Sequence, residues 1–195
     1  MQTSAAPPTD IAVFCGARPG AHPDHLVLAA HLGRELARRG AGLVYGAGGV
    51  GVMGALAQGV VTAGGRVTGV VPQALRDREH ADEPLGVIHV VATMHERKAL
   101  MYRLASGFAV LPGGIGTLDE LMEVATWNQL GFLKKPIVLV NHTGFFDPLV
   151  ALLDHLVAEG FLNPPERRLI QVAESPEQAC DLLGLPLPLL VAAAA

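Results

Sequence analysis

The stretch Ala109-Val110-Leu111-Pro112-Gly113-Gly114-Ile115-Gly116-Thr117-Leu118-Asp119-Glu120-Leu121 is an apolar run that breaks at Pro-Gly-Gly and restarts as an amphipathic pattern. From Thr117 on, Leu118, Leu121, Met122 and Ala125 recur at the spacing of one buried helix face. The glycines therefore stand where a strand hands over to a helix N-terminus. The first N–H groups of a helix have no internal partner, its dipole is positive there, and glycine lets the backbone approach an anion closely. This reads as a phosphate cradle with the Glu120 carboxylate beside it. Thr117-Leu118-Asp119-Glu120 also reads as a capping box, in which Glu120 only satisfies a backbone donor. Both readings stand on this segment alone.

A second segment supplies a cation. Leu85 to Val91 reads as a strand, and Thr93-Met94-His95-Glu96 opens a helix over 94–105 with another Thr-x-x-Glu signature. Arg97 and Lys98 then fall in the first turn, where positive charge opposes the helix dipole. Arg97 also lies in the arc of Met94, Leu100, Met101 and Leu104, so it is expected to point inward. A buried guanidinium needs an anionic partner. If strands 87–91 and 107–111 are neighbours, Arg97 and Glu120 share one sheet edge, where open α/β folds bind ligands. The alternative is an arginine whose head stays in water.

A third cluster, Gly46-Ala47-Gly48-Gly49-Val50-Gly51, matches G-x-G-x-x-G after the strand 42–45. A dinucleotide site also needs an acidic residue at the end of the next strand. None stands between Glu35 and Asp77, so the cluster reads as a tight turn with close helix packing.

These residues must be positioned by alternating strands and helices. Strands are expected at 10–15, 43–45, 66–71, 87–91, 107–111, 136–140 and 168–172, with helices near 25–39, 50–63, 94–105, 117–130, 145–159 and 175–184. That alternation implies an α/β fold: a Rossmann-like, doubly wound parallel sheet of about seven strands with helices on both faces. With 195 residues, one domain over 10–184 is expected, with tails at 1–9 and 185–195 rich in Pro and Ala.

Composition narrows the partners. Three lysines, eleven arginines and a net charge of −4 do not make the basic stripe that a nucleic acid requires. No 18-residue apolar run suggests a membrane span, and residues 1–17 hold no Lys or Arg, so a cytoplasmic location is expected. Cys15 and Cys180 suggest buried thiols. None of Ser4, Ser106 and Ser175 lies in G-x-S-x-G, and His95-Glu96 lacks the second His of H-E-x-x-H. No metal site is expected, although His22 and His25 are close. His95 is expected to line the pocket or cap a helix.

Phe14-Cys15-Gly16, Tyr45-Gly46-Ala47-Gly48 through Gly51-Val52-Met53-Gly54, Met94-His95-Glu96-Arg97-Lys98, Pro112 through Glu120, and Thr126-Trp127-Asn128-Gln129-Leu130-Gly131 together resemble the Lonely Guy family of cytokinin riboside 5′-monophosphate phosphoribohydrolases. The resemblance spans about residues 11–173, and Arg-Lys followed by PGGxGTxxE is its specific part. It implies hydrolysis of a purine riboside 5′-monophosphate to free base and ribose 5-phosphate, with Arg97 and Glu120 as the catalytic pair. It implies substrate contacts at Glu79, Lys98, Gly113, Gly114, Ile115, Gly116, Thr117 and Thr126, no metal or other cofactor, and a homodimer paired close to the site. Arg97 is expected to hold Glu120 ionised by lowering its pKa. Three departures stand out: Ala17 where Ser is usual, Ala47 for the middle glycine, and Ser106-Gly107 for an acidic-Ala pair. Relatives are often labelled lysine decarboxylases, which use pyridoxal phosphate on a lysine. Lys134 and Lys135 read as exposed, leaving only Lys98 for that role. A non-catalytic nucleotide carrier, as in the similar molybdenum-cofactor carrier proteins, is the alternative function.

Overall fold

The computed structural model describes residues 9–76 and 85–187. Its strands are β1 (Asp10–Phe14), β2 (Gly42–Tyr45), β3 (Val67–Pro72), β4 (Val87–Val91), β5 (Gly107–Val110), β6 (Ile137–Val140) and β7 (Ile170–Ala173). Its helices are α1 (Asp24–Arg38), α2 (Gly51–Thr62), α3 (Gln73–Arg76), α4 (Met94–Leu104), α5 (Ile115–Gln129), α6 (Asp147–Ala158), α7 (Pro164–Arg167) and α8 (Pro176–Leu182).

The strands form one parallel sheet in the order β4-β3-β2-β1-β5-β6-β7. The inner strands are apolar at nearly every position because both sheet faces are covered. Ile11, Val13, Leu43, Tyr45, Ala109, Leu111 and Val138 pack under α1, α2 and α8. The alternate residues Ala12, Phe14, Val44, Phe108, Val110 and Ile137 pack under α4, α5 and α6. Strand order reverses direction between β1 and β5, and in such sheets ligands bind at the carboxyl ends beside that reversal.

The expected elements are present with ends moved by a few residues, and three features differ from expectation. Strands 87–91 and 107–111 are not neighbours: β3, β2 and β1 lie between them. The last strand starts at Ile170, because Pro164–Arg167 form a short helix boxed by Asn163 and Glu166. Leu185, assigned to the tail on composition, is buried, and its carbonyl accepts from Arg39. Arg39, itself buried, also pairs with Glu35 at 2.7 Å and Asp181 at 2.5 Å, fastening α8 to α1. Among the described residues no helix is long and apolar enough to cross a membrane.

Helices α1 and α2 cross at two glycines. A methyl group on Gly33 would overlap the Leu56 carbonyl oxygen, and one on Gly59 would overlap that of Ala30. Alanine gains about 1 kcal/mol over glycine in a helix. Here the obstacle is backbone, which cannot swing aside, and overpacking of this kind costs about 1–3 kcal/mol. Gly33→Ala and Gly59→Ala are therefore expected to lower the urea midpoint, and an unchanged midpoint in both would show that the two helices part freely.

Candidate active site

The carboxyl ends of β1, β2, β5 and β6 surround a cleft of about 730 Å³. Cys15 to Ala21 enter it from the β1 exit, Val52 and Met53 from α2, Pro112 to Thr117 from the β5 exit, and Phe145 from the loop after β6. The β1 and β5 exits are bound together: the Gly16 N–H donates to the Pro112 carbonyl at 3.1 Å, and the Met53 N–H to the Gly16 carbonyl at 3.1 Å. A Cβ on Gly113 would strike the Thr117 hydroxyl, so this position must lack a side chain.

Helix α5 begins at Ile115 with Gly114 as its N-cap, and no side chain caps it. Glu120 is consequently the sixth residue of the helix, not the third, and the capping-box reading fails. Gly114, Ile115 and Gly116 are exposed, and Cβ atoms on both of these glycines would meet nothing within 4 Å. The first turn of α5 thus lines the cleft with open space beside it and no side-chain cap on its first N–H groups, as an anion site requires.

Glu120 sits on the same helix face as Gly116 and Thr117, one turn deeper. Its side chain is 7% exposed, and Arg97, 11% exposed, places Nη1 at 3.2 Å from Glu120 Oε1. The contact is a charge pair without hydrogen-bond alignment, so this buried Oε1 has no hydrogen-bond donor. Burial pushes the Glu120 pKa up, and the Arg97 charge only partly opposes it. The expectation of a lowered pKa is corrected on this point. Arg97 also donates through Nε to the Val70 carbonyl at 3.2 Å. Its inward direction is as the helical arc implies.

The approach of Arg97 explains Gly46. A Cβ there would collide with Arg97 Nη2 and touch Met53 Sδ, so the guanidinium and the cleft-lining Met53 meet over one Cα. The pair therefore borders the Met53 and Cys15 end of the cleft without forming its wall. The Cys15 thiol feels both Glu120 and Arg97, but burial dominates and raises its pKa strongly, which leaves it inert. Burial likewise pushes Cys180 up to about 12.

Other residues assigned from sequence lie elsewhere. Lys98 Nζ sits 3.0 Å from Asp119 Oδ2 and 2.7 Å from Glu123 Oε2 and does not line the cleft. Thr126 is exposed and donates to the Met122 carbonyl at 2.8 Å. It stands nine residues beyond Thr117, about 14 Å along α5. Glu79 lies outside the described residues. His95 is exposed and does not line the cleft. Among the described residues no cluster of His, Cys, Asp and Glu could hold a metal ion.

Lys135 is not an exposed residue: its Nζ donates to the Tyr102 and Ala105 carbonyls at 2.7 and 2.6 Å, closing the C-terminus of α4. Lys134 and Lys135 precede β6, at the sheet edge opposite the cleft. With Lys98 held by two carboxylates, no described lysine fits a Schiff base with pyridoxal phosphate at this site. Sequence reasoning missed Phe145 and His25 as cleft residues. Phe145 follows β6 at the carboxyl edge, and that placement was its only signal.

A family model described as "Possible lysine decarboxylase" matches residues 53–183. A protein of Oryza sativa subsp. japonica named "Probable cytokinin riboside 5'-monophosphate phosphoribohydrolase" is 47% identical over 173 residues, 89% of this chain and 69% of that protein. A cytokinin riboside 5′-monophosphate phosphoribohydrolase of Arabidopsis thaliana is 46% identical over 168 residues, 86% of this chain and 77% of that one. Among solved structures, the molybdenum cofactor binding protein of Rippkaea orientalis superposes with a TM-score of 0.69 at 24% identity, covering 92% of this chain and 98% of that one. This last likeness establishes the fold alone. The chain belongs to the possible lysine decarboxylase family, within its Lonely Guy branch of cytokinin riboside 5′-monophosphate phosphoribohydrolases.

Proposed function

We propose that this protein hydrolyses the N-glycosidic bond of a purine riboside 5′-monophosphate, releasing the free base and ribose 5-phosphate. The observation that carries the reading is the buried Glu120 Oε1, 3.2 Å from Arg97 and without a hydrogen-bond donor, one turn below an uncapped helix start. The names of the relatives, 46–47% identical, agree with it. The 5′-phosphate docks on the N–H groups at Gly114 to Thr117, which places the ribose over Glu120 and Arg97. As the C1′–N9 bond breaks, its electron pair leaves with the purine and positive charge grows on C1′ and the ring oxygen. The Glu120 carboxylate stabilises that charge and accepts a hydrogen bond from the attacking water, whose oxygen adds to C1′ while a proton ends on the base. Arg97 offsets the cost of keeping this carboxylate ionised out of water. Val52, Met53 and Phe145 give the cleft an apolar wall suited to a base bearing an N6 isoprenoid group.

The deciding experiment incubates the protein with AMP and with N6-isopentenyladenosine 5′-monophosphate and assays ribose 5-phosphate. Release is expected from at least one of them, and faster release from the isopentenyl substrate would support the apolar wall. Tight nucleotide binding without any ribose 5-phosphate would instead favour a non-catalytic carrier.

The roles of the pair give two further expectations. Glu120→Gln, which keeps the shape and loses the charge, is expected to reduce turnover by about 10²–10⁴-fold with nucleotide binding retained. Near wild-type turnover in that variant would remove Glu120 from the mechanism. Because burial raises the Glu120 pKa, the acid limb of kcat/KM is expected above the ordinary carboxylate range. Arg97→Ala removes the main opposing charge and should move the residual limb higher still. A limb that stays in place would show that Arg97 acts through something other than this carboxylate.

We also propose a homodimer through α5. Tyr102 and Trp127 pack on each other in the core, ring centroids 5.5 Å apart, and do not form such a surface. The exposed apolar stripe instead runs through Ile115, Leu118 and Met122, with Ile115 88% exposed. Thr126 continues that stripe, so its route to a nucleotide runs across such an interface. Light scattering is expected to report a dimer or a larger even-numbered assembly, with Leu118→Glu and Met122→Glu shifting it to monomer. A monomeric wild type with full turnover would overturn this.

A further inference from the structure

Lys98 adjoins Arg97 on α4, and its partner Asp119 adjoins Glu120 on α5. Two ion pairs thus join the same two helices, side by side. Lys98 is 9% exposed, and its ammonium lies 3.0 Å from Asp119 Oδ2 and 2.7 Å from Glu123 Oε2. The second carboxylate is anchored in turn: the Tyr102 hydroxyl donates to Glu123 Oε2 at 2.6 Å. Tyr102 is fixed among Phe14, Phe108 and Trp127, with ring centroids 6.1, 5.7 and 5.5 Å away. The ammonium is therefore tied through Glu123 to the aromatic core under the sheet, with Asp119 holding it from the solvent side.

Charge decides what such a lysine can do. With Lys98 carrying +1 and Asp119 and Glu123 each −1, the trio is net negative. A phosphate dianion brought to Nζ would meet two carboxylates within about 3 Å of the same nitrogen. Like charges at such range repel, most of all at the half-buried Glu123, while the exposed Asp119 is screened by water. Although burial alone would lower the Lys98 pKa, its hydrogen bonds to Glu123 and Asp119 raise it, so the cation persists through neutral pH.

We propose that Lys98 is a positioning residue: clamped by Asp119 and Glu123, it fixes α4 against α5 so that Arg97 stays at Glu120, and it does not bind the nucleotide phosphate. The proposal rests on the hydrolase reading given above for the role of that pair. Glu120 is influenced by Arg97 and Lys98 across the helix interface and by Asp119 and Glu123 on its own helix; it also acts on the Cys15 thiol and the Tyr102 phenol. Removing Lys98 takes away one favourable charge and leaves two opposing ones unbalanced.

The test compares Lys98→Met, Lys98→Arg and the double variant Asp119→Asn/Glu123→Gln with wild type. Lys98→Met/Glu123→Gln, which leaves a single carboxylate stranded, is added so that a misfolded single variant does not end the test. Lys98→Met is expected to lower kcat about 10–100-fold, as small misplacements of a catalytic pair do. KM and the calorimetric Kd for AMP should stay within about twofold of wild type. The acid limb should move up, with Lys98→Arg restoring part of the rate and most of the limb. Asp119→Asn/Glu123→Gln should also lower kcat without tightening AMP. The proposal is overturned if Lys98→Met weakens AMP about tenfold while kcat and the limb hold. It is equally overturned if freeing the ammonium in the Asp119→Asn/Glu123→Gln protein tightens AMP. Carbon-13 NMR titration of the Glu120 carboxyl separates this claim from the hydrolase reading, because it needs no turnover. If wild type releases no ribose 5-phosphate, that reading fails, and the Glu120 titration and AMP affinity of Lys98→Met still decide the role of Lys98: a raised Glu120 pKa with unchanged affinity supports it, and the reverse pattern refutes it.

Discussion

Burying a carboxylate costs several kcal/mol unless a cation stands beside it, and much of the surrounding structure follows from meeting that cost at Glu120. The cation comes from α4, which starts after β4 at one edge of the sheet and must return beneath β3, β2 and β1 before β5 begins. That path brings Arg97 past the end of β2, where only a glycine at position 46 leaves room for its guanidinium. The Val70 carbonyl in β3 accepts a hydrogen bond from Arg97 Nε–H, so the arginine is aimed by the sheet as well as by its helix. The long crossover, Gly46 and the Val70 contact are one device seen from three strands.

The helix starts divide by the same logic. Thr93, Asn163 and Ser175 cap α4, α7 and α8 with their side chains, and none of these helices supplies a residue to the cleft wall. Helices α1, α2, α5 and α6 have no side-chain cap, and each contributes or adjoins a cleft residue: His25, Met53, Thr117 and Phe145. A cap satisfies donors that a ligand would otherwise meet. Leaving them uncapped costs stability, about 1 kcal/mol for a missing cap. The uncapped starts converge where the sheet changes direction, so the cost falls where an anion would repay it.

How far the sequence discloses this follows from which information is local. The strands at 10–14, 42–45, 107–110 and 137–140 are legible because burial on both faces makes them unbroken apolar runs between glycine and proline breaks. The Arg97 and Glu120 pair is legible because a cation in an apolar arc at a helix start is locally anomalous and calls for a partner. Strand order is not local, so β4 and β5 look like neighbours when three strands divide them. The start of α5 misleads for another reason: Thr117 and Glu120 imitate a capping box, while the true N-cap, Gly114, has no side chain to announce itself. Lys135 looks like a surface charge until the end of α4 is placed beside it in space.

Ala47 shows how the site tolerates a change in its own turn. Among the described residues it alone combines a side chain with a positive φ, 62°, a conformation that costs an L-residue about 1–2 kcal/mol. Glycine would avoid that strain but would give the unfolded chain more freedom to lose, which returns about 0.4–1 kcal/mol to alanine. The remaining strain is small, and the space for the methyl is supplied by Gly69 on β3, where a second Cβ would crowd Ala47. The turn therefore keeps its left-handed shape with alanine in it. Gly46 still presents its bare Cα to Arg97 and Gly48 still lies against Met53, so the seat of Arg97 depends on the glycines on either side of Ala47 and not on Ala47 itself.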